Sequence, residues 1–141
     1  MLKNVLIKIK GTNTSEGNAD KVEFTTEGKL GEKEGKMYIL YEEAESIGTT
    51  GVKTMLKVEN DRQVVLQRSG ALNSRMTIEK GQRHNCCYST VQGDIMVGVF
   101  GEAIKSELGA CGGKLYMRYT VDVNMGLVSR NEIEISVKEV N

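Results

Sequence analysis

The stretch Lys114–Asn124 reads KLYMRYTVDVN, and its apolar and polar residues alternate almost without interruption. Successive side chains point to opposite faces only in a β-strand, so this period of two predicts a strand with one buried face. The apolar set is Leu115, Met117, Tyr119, Val121 and Val123. The same alternation recurs along most of the chain between short breaks rich in Gly, Asn and Asp, which predicts an all-β protein.

About ten strands follow one another along the chain. The segments that mark them are Val5–Ile9, Val22–Thr26, Met37–Tyr41, Val52–Val58, Val64–Arg68, Met76–Ile78, His84–Tyr88, Ile95–Ile104, Lys114–Asn124 and Ile133–Val137. Turn signals such as Glu34-Gly35, Lys80-Gly81 and Asn124-Met125-Gly126 separate them, and short connections make sequence neighbours antiparallel partners. We therefore predict a closed antiparallel meander β-barrel of eight to ten strands, with a two-sheet sandwich as the alternative. One helical turn is expected at Ala103–Leu108.

Length and charge narrow the range of partners. The 141 residues fit a single domain spanning 1–141, and Lys plus Arg equal Asp plus Glu at 19 each. No overall field therefore attracts nucleic acid or an anionic membrane. The apolar run within Met1–Lys10 is too short for the hydrophobic region of a signal peptide. No stretch approaches the roughly 18 apolar residues of a membrane span. Three cysteines, an odd number, fit reduced thiols, so we expect a soluble cytoplasmic protein.

The turn around Gly70 and the next turn predict a register for three strands. Keeping apolar residues on one face pairs Leu66 with Met76 and Val64 with Ile78, and then pairs Met76 with Cys86. Glu79 and Cys87 then point outward. The inward-facing residues brought together in this way are Arg68, Ser74, His84, Cys86 and Tyr88.

Residues scattered along the chain also resemble a known family. They are Arg68-Ser69-Gly70, Ser74-Arg75-Met76, Glu79, Gly81, His84, Tyr88, Gly93, Tyr119, Asn124, Ser129 and Asn131. They are similar to the YwiB-like family of uncharacterised bacterial proteins, from near residue 5 to near residue 138. The resemblance implies a lipocalin-like, or calycin-like, closed antiparallel barrel. It implies no activity, because the family has no assigned substrate.

Arg68 is the most informative of the inward-facing residues. A guanidinium inside a barrel is costly unless it is paired or hydrated, and it is suited to holding a carboxylate or phosphate. The alternative is that its head group reaches water at the barrel mouth. The leading hypothesis is a non-enzymatic barrel that binds a small anionic or amphipathic molecule. Arg68 anchors this ligand, and Ser74, His84, Cys86 and Tyr88 line the same site.

Two other hypotheses come from the same residues. In the first, the barrel is filled with side chains and acts through its rim or as a homodimer, with Val65 and Met55 exposed on an outer face. In the second, the protein is an enzyme that uses His84 with Cys86 or Tyr88. No third orienting residue or oxyanion hole is identifiable, so we assign no catalytic residue.

Metal-ligand spacing is also missing from the sequence. Cys86 and Cys87 point to opposite faces of one strand, so they cannot both bind one ion without a bulge. Neither C-x-x-C nor H-x-x-x-H occurs. We therefore expect no metal site and no cofactor.

Overall fold

The barrel is built from ten antiparallel strands. The computed structural model describes residues 2–42, 52–70, 73–90, 93–123 and 126–140, with the backbone alone for 88–90 and 127–128. The strands are β1 (Leu2–Ser15), β2 (Asn18–Lys33), β3 (Lys36–Glu42), β4 (Val52–Val58), β5 (Gln63–Gly70), β6 (Ser74–Glu79), β7 (Arg83–Thr90), β8 (Gly93–Ser106), β9 (Gly112–Val123) and β10 (Gly126–Glu139). Each pairs with its sequence neighbours, and β10 closes the barrel on β1. The predicted closed meander barrel is confirmed.

Inward-facing apolar side chains from all ten strands meet in one core. Ile7, Ile39, Val64, Val99 and Leu115 have no accessible surface. Burying a side chain of this size contributes about 1.5–3 kcal/mol, so the alternation that predicts the strands also supplies the energy that closes them. None of the ten described strands has an exposed edge, because β1 and β10 pair over ten residues of each strand.

The two ends of the barrel differ. We call the end with the β1–β2, β3–β4, β5–β6, β7–β8 and β9–β10 connections the polar end, and the other the apolar end. Along β2, inward-facing side chains pass from buried Leu30 near the apolar end to exposed Val22 near the polar end. Along β8 they pass from buried Val99 to exposed Ile95. The packed core therefore fills the apolar end, where Leu108 also packs against it.

Two tight turns have the same sequence and the same geometry. Glu34 and Gly35 connect β2 to β3 with φ values of 54° and 77°, which confirms the predicted turn. Glu16 and Gly17 connect β1 to β2 with φ values of 50° and 80°. Positive φ at both central positions is the mirror-image turn that matches the twist of a hairpin. No turn is predicted at Glu16 from the sequence. Because β1 and β2 both extend to this turn, they are longer than predicted.

The helical turn expected at Ala103–Leu108 is wrong. Ala103 and Ile104 continue β8 and pair with Arg118 and Met117 of β9, after a bulge that begins at Gly101. Hydrogen bonds to a neighbouring strand outweigh the helix propensity of a short segment. No helix in the described ranges has the length and apolar character needed to cross a membrane.

Candidate functional site

The predicted register of β5, β6 and β7 is confirmed. Arg68 pairs with Ser74, Leu66 with Met76, and Val64 with Ile78. Between β6 and β7, Arg75 pairs with Cys87, which puts Cys86 opposite Met76 and His84 opposite Ile78. The backbone of Tyr88 pairs with Ile95, while its side chain is outside the described part of the structure.

Four consecutive register partners form a band across the inner wall. Tyr41 pairs with Thr54, Thr54 with Arg68, and Arg68 with Ser74, so the band crosses β3 to β6. We call these four residues the inner polar row. Paired Cα atoms in antiparallel strands are about 4.5–5.5 Å apart, so each side chain has the next one as its neighbour. Arg68 thus lies between two hydroxyl groups, near the polar end.

Both hydroxyl groups beside Arg68 are buried without a hydrogen-bond partner among the described residues. Thr54 is 2% exposed and Ser74 is 8% exposed, and neither Oγ1 of Thr54 nor Oγ of Ser74 has a described partner. The Nε atom of Arg68 is buried as well. A buried hydroxyl without a partner costs about 1–3 kcal/mol. These two groups are therefore available to bind a molecule that enters the barrel.

Sequence reasoning missed Thr54 as a site residue. Thr54 lies within the predicted strand Val52–Val58, in phase with the apolar residues Leu56 and Val58, and the sequence pattern indicates no role for its hydroxyl. A threonine within an inward apolar set is the available signal. Only the pairing of β4 with β5 places this hydroxyl beside Arg68.

A second polar group lies on β1 and β10. Asn13 Nδ2 donates to Asn131 Oδ1 at 2.7 Å, and Asn131 Nδ2 donates to Ser129 Oγ at 3.1 Å. β10 and β5 lie on opposite sides of the ring of ten strands, so this group is across the barrel from Arg68. Ser129 and Asn131 are named above only as residues that carry the family resemblance. Their alternation with Ile133 is the sequence signal that they face inward.

His84 and Cys86 lie apart from the inner polar row. Ser74 and Ile78 are four residues apart on β6, so His84, opposite Ile78, is about 13 Å along the strands from the level of Arg68. Its Nε2 is 2.8 Å from Oε1 of Glu79, across the β6–β7 turn. The thiol of Cys86 accepts the backbone N–H of Thr77 at 3.5 Å and lies 3.8 Å from the carbonyl of His84. These contacts direct the imidazole to Glu79 and the thiol to the backbone.

A groove of about 530 Å³ lies on the wall formed by β2 to β5. Leu40, Met55 and Gln67 are register partners in this wall and belong to the outward alternation. The groove is therefore on the outside of the barrel. Lys53 and Glu42 border it near the polar end.

The prediction that Val65 and Met55 are exposed on an outer face is wrong. Val65 points outward but is only 4% exposed, because it lies between its half-buried neighbours Lys57 and Thr77. Met55 is half-buried in the groove. The apolar surface of the outer wall in this groove is therefore formed by Leu40 and Met55.

Other charged pairs lie on the outer wall. Arg83 donates to both carboxylate oxygens of Asp122, at 2.7 and 3.0 Å, and this pairing raises the pKa of Arg83. Tyr116 donates to Glu132 at 2.7 Å, and burial together with this bond raises the pKa of its phenol. No group of three His, Cys, Asp or Glu residues in the described ranges is arranged to hold a metal ion.

Three comparisons place this barrel among known proteins. Residues 7–135 match a family described as a domain of unknown function, DUF1934. The uncharacterised β-barrel protein YwiB of Bacillus subtilis (strain 168) is 27% identical over 119 residues, which cover 84% of this chain and 82% of that protein. The crystal structure of YwiB from Bacillus subtilis superposes with a TM-score of 0.87 at 23% identity, covering 99% of this chain and 94% of that one. The shared barrel and the match over most of the sequence show that this chain belongs to the DUF1934 family of β-barrel proteins.

Proposed function

We propose that the barrel binds a small anionic or amphipathic molecule at its polar end. The guanidinium of Arg68 holds the anionic group, and the hydroxyls of Thr54 and Ser74 supply further hydrogen bonds. The observation that carries the proposal is the pair of buried hydroxyls, neither with a described partner, on either side of this arginine. Natural proteins satisfy nearly all buried polar groups, and a ligand would satisfy these two.

The chemistry of the row suits an oxyanion. A guanidinium presents a planar fork of N–H donors that matches carboxylate and phosphate oxygens, and hydroxyls can donate to the same oxygens. An eight-stranded barrel is just wide enough to hold side chains or one small ligand, and diameter grows with strand number. A ring of ten strands is therefore expected to be wider than an eight-stranded one.

The predicted residues Cys86 and Tyr88 also belong to the proposed site, because β7 runs beside β6 with Cys86 opposite Met76, one step from Ser74 toward the apolar end. His84 lies further from the row, beside Glu79, and is not assigned to the ligand. The function is binding alone, with no catalytic residue and no cofactor assigned. The thiols of three cysteines are free, namely Cys86, Cys87 and Cys111. Free thiols are typical of the reducing cytoplasm, so we propose that the protein binds its ligand there.

Native mass spectrometry of protein purified from its own host tests the proposal. The wild type should retain a small molecule that is lost in Arg68→Met, because methionine keeps about the length of the aliphatic part of the arginine side chain and removes its charged group. Arg75→Met is the matched control, since Arg75 is exposed on the neighbouring strand β6 and points outward. The same bound mass in both variants would contradict a role for Arg68.

Self-association through the outer groove is a second candidate function. If a two-fold axis runs along the strands between β3 and β4, Leu40 of one copy faces Met55 of the other, and Glu42 faces Lys53. Such an isologous contact joins apolar to apolar and negative to positive groups. The register pairs Leu40 with Met55 and Glu42 with Lys53 support this candidate.

Sedimentation equilibrium tests the second candidate. Wild type should be a dimer, Met55→Lys should be a monomer, and Glu42→Lys should weaken the dimer. The double variant Glu42→Lys with Lys53→Glu should restore it, because the two charges are exchanged rather than removed. A wild type that stays monomeric at high protein concentration rules this function out.

A further inference from the structure

We infer that the ligand of the inner polar row is a compact aromatic anion, in which a flat ring lies next to the charged group. The inference rests on the proposed function and names the class of the apolar part of the ligand. The residues that carry it are Phe24 on β2 and Tyr41 on β3, together with the packed side chains beneath the row.

Phe24 and Tyr41 form an aromatic pair near the polar end. Their ring centroids are 6.4 Å apart and their planes are tilted by 57°. Both residues pack against the core but are only half-buried. On the same strands, Leu30 and Ile39 are 2% and 0% exposed. The two rings thus lie where the protein's own core ends, and both are partly exposed.

The aromatic pair is close to the anion-binding side chain. Tyr41 is two strand spacings from Arg68 in the inner polar row, or about 10 Å between Cα atoms. Thr54 lies between them and has a short side chain. A phenol ring and a guanidinium on either side of a short residue can contact one molecule, provided that its charge is close to its apolar part.

The floor of the site disfavours a long alkyl chain. One step from the row toward the apolar end, the inward residues of β3, β4 and β6 are Ile39, Leu56 and Met76, which are 0%, 1% and 4% exposed. Leu66 of β5 completes this layer; it is half-buried and packs against the core. A chain extending from Arg68 toward the apolar end would have to displace this packed layer, which is costly in a close-packed core. A flat molecule can instead lie across the row, above the floor.

Aromatic rings give a further reason to favour a ring over an alkyl group. Two aromatic rings with centroids about 4.5–7 Å apart, in tilted or offset arrangements, attract each other more strongly than the burial of their surface alone explains. This extra attraction corresponds to about two- to tenfold in affinity. A ligand ring beside Phe24 and Tyr41 would gain this preference. An alkyl anion of similar size would not gain it.

Fluorescence titration with 1-anilinonaphthalene-8-sulfonate provides the test, and 1-naphthalenesulfonate and octanesulfonate serve as competitors. The chain contains no Trp, so the probe signal is free of energy transfer from tryptophan. We expect 1-naphthalenesulfonate to displace the probe from wild type at a lower concentration than octanesulfonate. Tyr41→Leu should weaken 1-naphthalenesulfonate about two- to tenfold and leave octanesulfonate unchanged.

Controls separate this inference from the proposed function. Tyr38→Leu removes an outward-facing ring from the same strand and should change neither competitor. Arg68→Met should weaken both anions alike. If Arg68→Met has this effect while Tyr41→Leu weakens both competitors equally or neither, the aromatic inference is wrong and the anion site stands. If Arg68→Met changes neither anion, the proposed function itself fails. Phe24→Leu repeats the test should Tyr41→Leu not fold.

Discussion

Replacing Thr54 with valine should make the ligand-free protein more stable. Valine has nearly the shape of threonine, with a methyl group in place of the hydroxyl. Because Oγ1 of Thr54 is buried and lacks a described partner, the substitution removes a polar group that folding leaves unsatisfied. Most substitutions in a folded protein are destabilising, so the sign of this effect is diagnostic.

The size of the effect follows from the burial of the residue. Thr54 is 2% exposed, so nearly the whole desolvation cost of its hydroxyl applies. From mutational data that cost is about 1–3 kcal/mol, which is the expected gain in the free energy of unfolding. The same substitution should weaken ligand binding by about two- to tenfold, because it removes one hydrogen bond of about 0.5–1.5 kcal/mol.

Urea denaturation followed by far-UV circular dichroism measures the gain. The midpoint of Thr54→Val should rise while the slope of the free energy against urea stays unchanged. Thr120→Val is the control, because Thr120 is half-buried on the outward face of β9 and its substitution should change stability by less than about 0.5 kcal/mol. A loss of 1 kcal/mol or more in Thr54→Val would mean that the hydroxyl is already hydrogen-bonded in the folded protein, and the main support for the site would disappear.

Two further predictions concern the barrel itself. Gly101→Ala should destabilise the protein by about 1–3 kcal/mol in thermal unfolding, since its new Cβ would lie 2.4 Å from the backbone oxygen of Glu79. Gly98→Ala should cost less because the three atoms nearest its Cβ all belong to the guanidinium of Arg83, which can shift on the outer wall at the cost of weakening its pair with Asp122, and equal losses would contradict this account. Burial and the bond to Glu132 raise the pKa of Tyr116 above 10.0, so the stability that the phenol contributes is complete below pH 10 and falls as the pH rises further. The advantage of wild type over Tyr116→Phe in urea should therefore shrink between pH 8 and pH 11, and a constant difference would show that the phenol does not titrate as described.

The sequence predicts the strands wherever one face is buried. In Lys114–Asn124 and in the hairpins joining β5 to β7, alternation and short turns define both the strands and their register, and the pairs formed by Arg68 and Leu66 follow from them. The polar stretch from Gly11 to Lys21 carries no such signal because both of its faces meet water. Alternation therefore could not show that β1 and β2 extend through it.

The site is only partly predictable for a related reason. Arg68 and Ser74 come from one hairpin, so local register brings them together. Thr54 comes from a strand reached through a separate connection, and only the pairing of β4 with β5 makes its hydroxyl a neighbour of Arg68. The orientation of His84 toward Glu79 likewise depends on the β6–β7 turn, since strand alternation places these two side chains on opposite faces.

The amino-acid sequence by itself determined the antiparallel order of the strands and the face of the sheet on which Arg68 lies, because a period of two and short turns are local properties. The pairing of β1 with β10, which closes a barrel instead of leaving two packed sheets, is a tertiary contact. Tertiary structure decided which polar groups surround that arginine, which end of the barrel is filled, and which outward apolar residues are covered. These features depend on contacts between strands far apart in sequence and on the width of a ten-stranded ring, neither of which is encoded in any single segment.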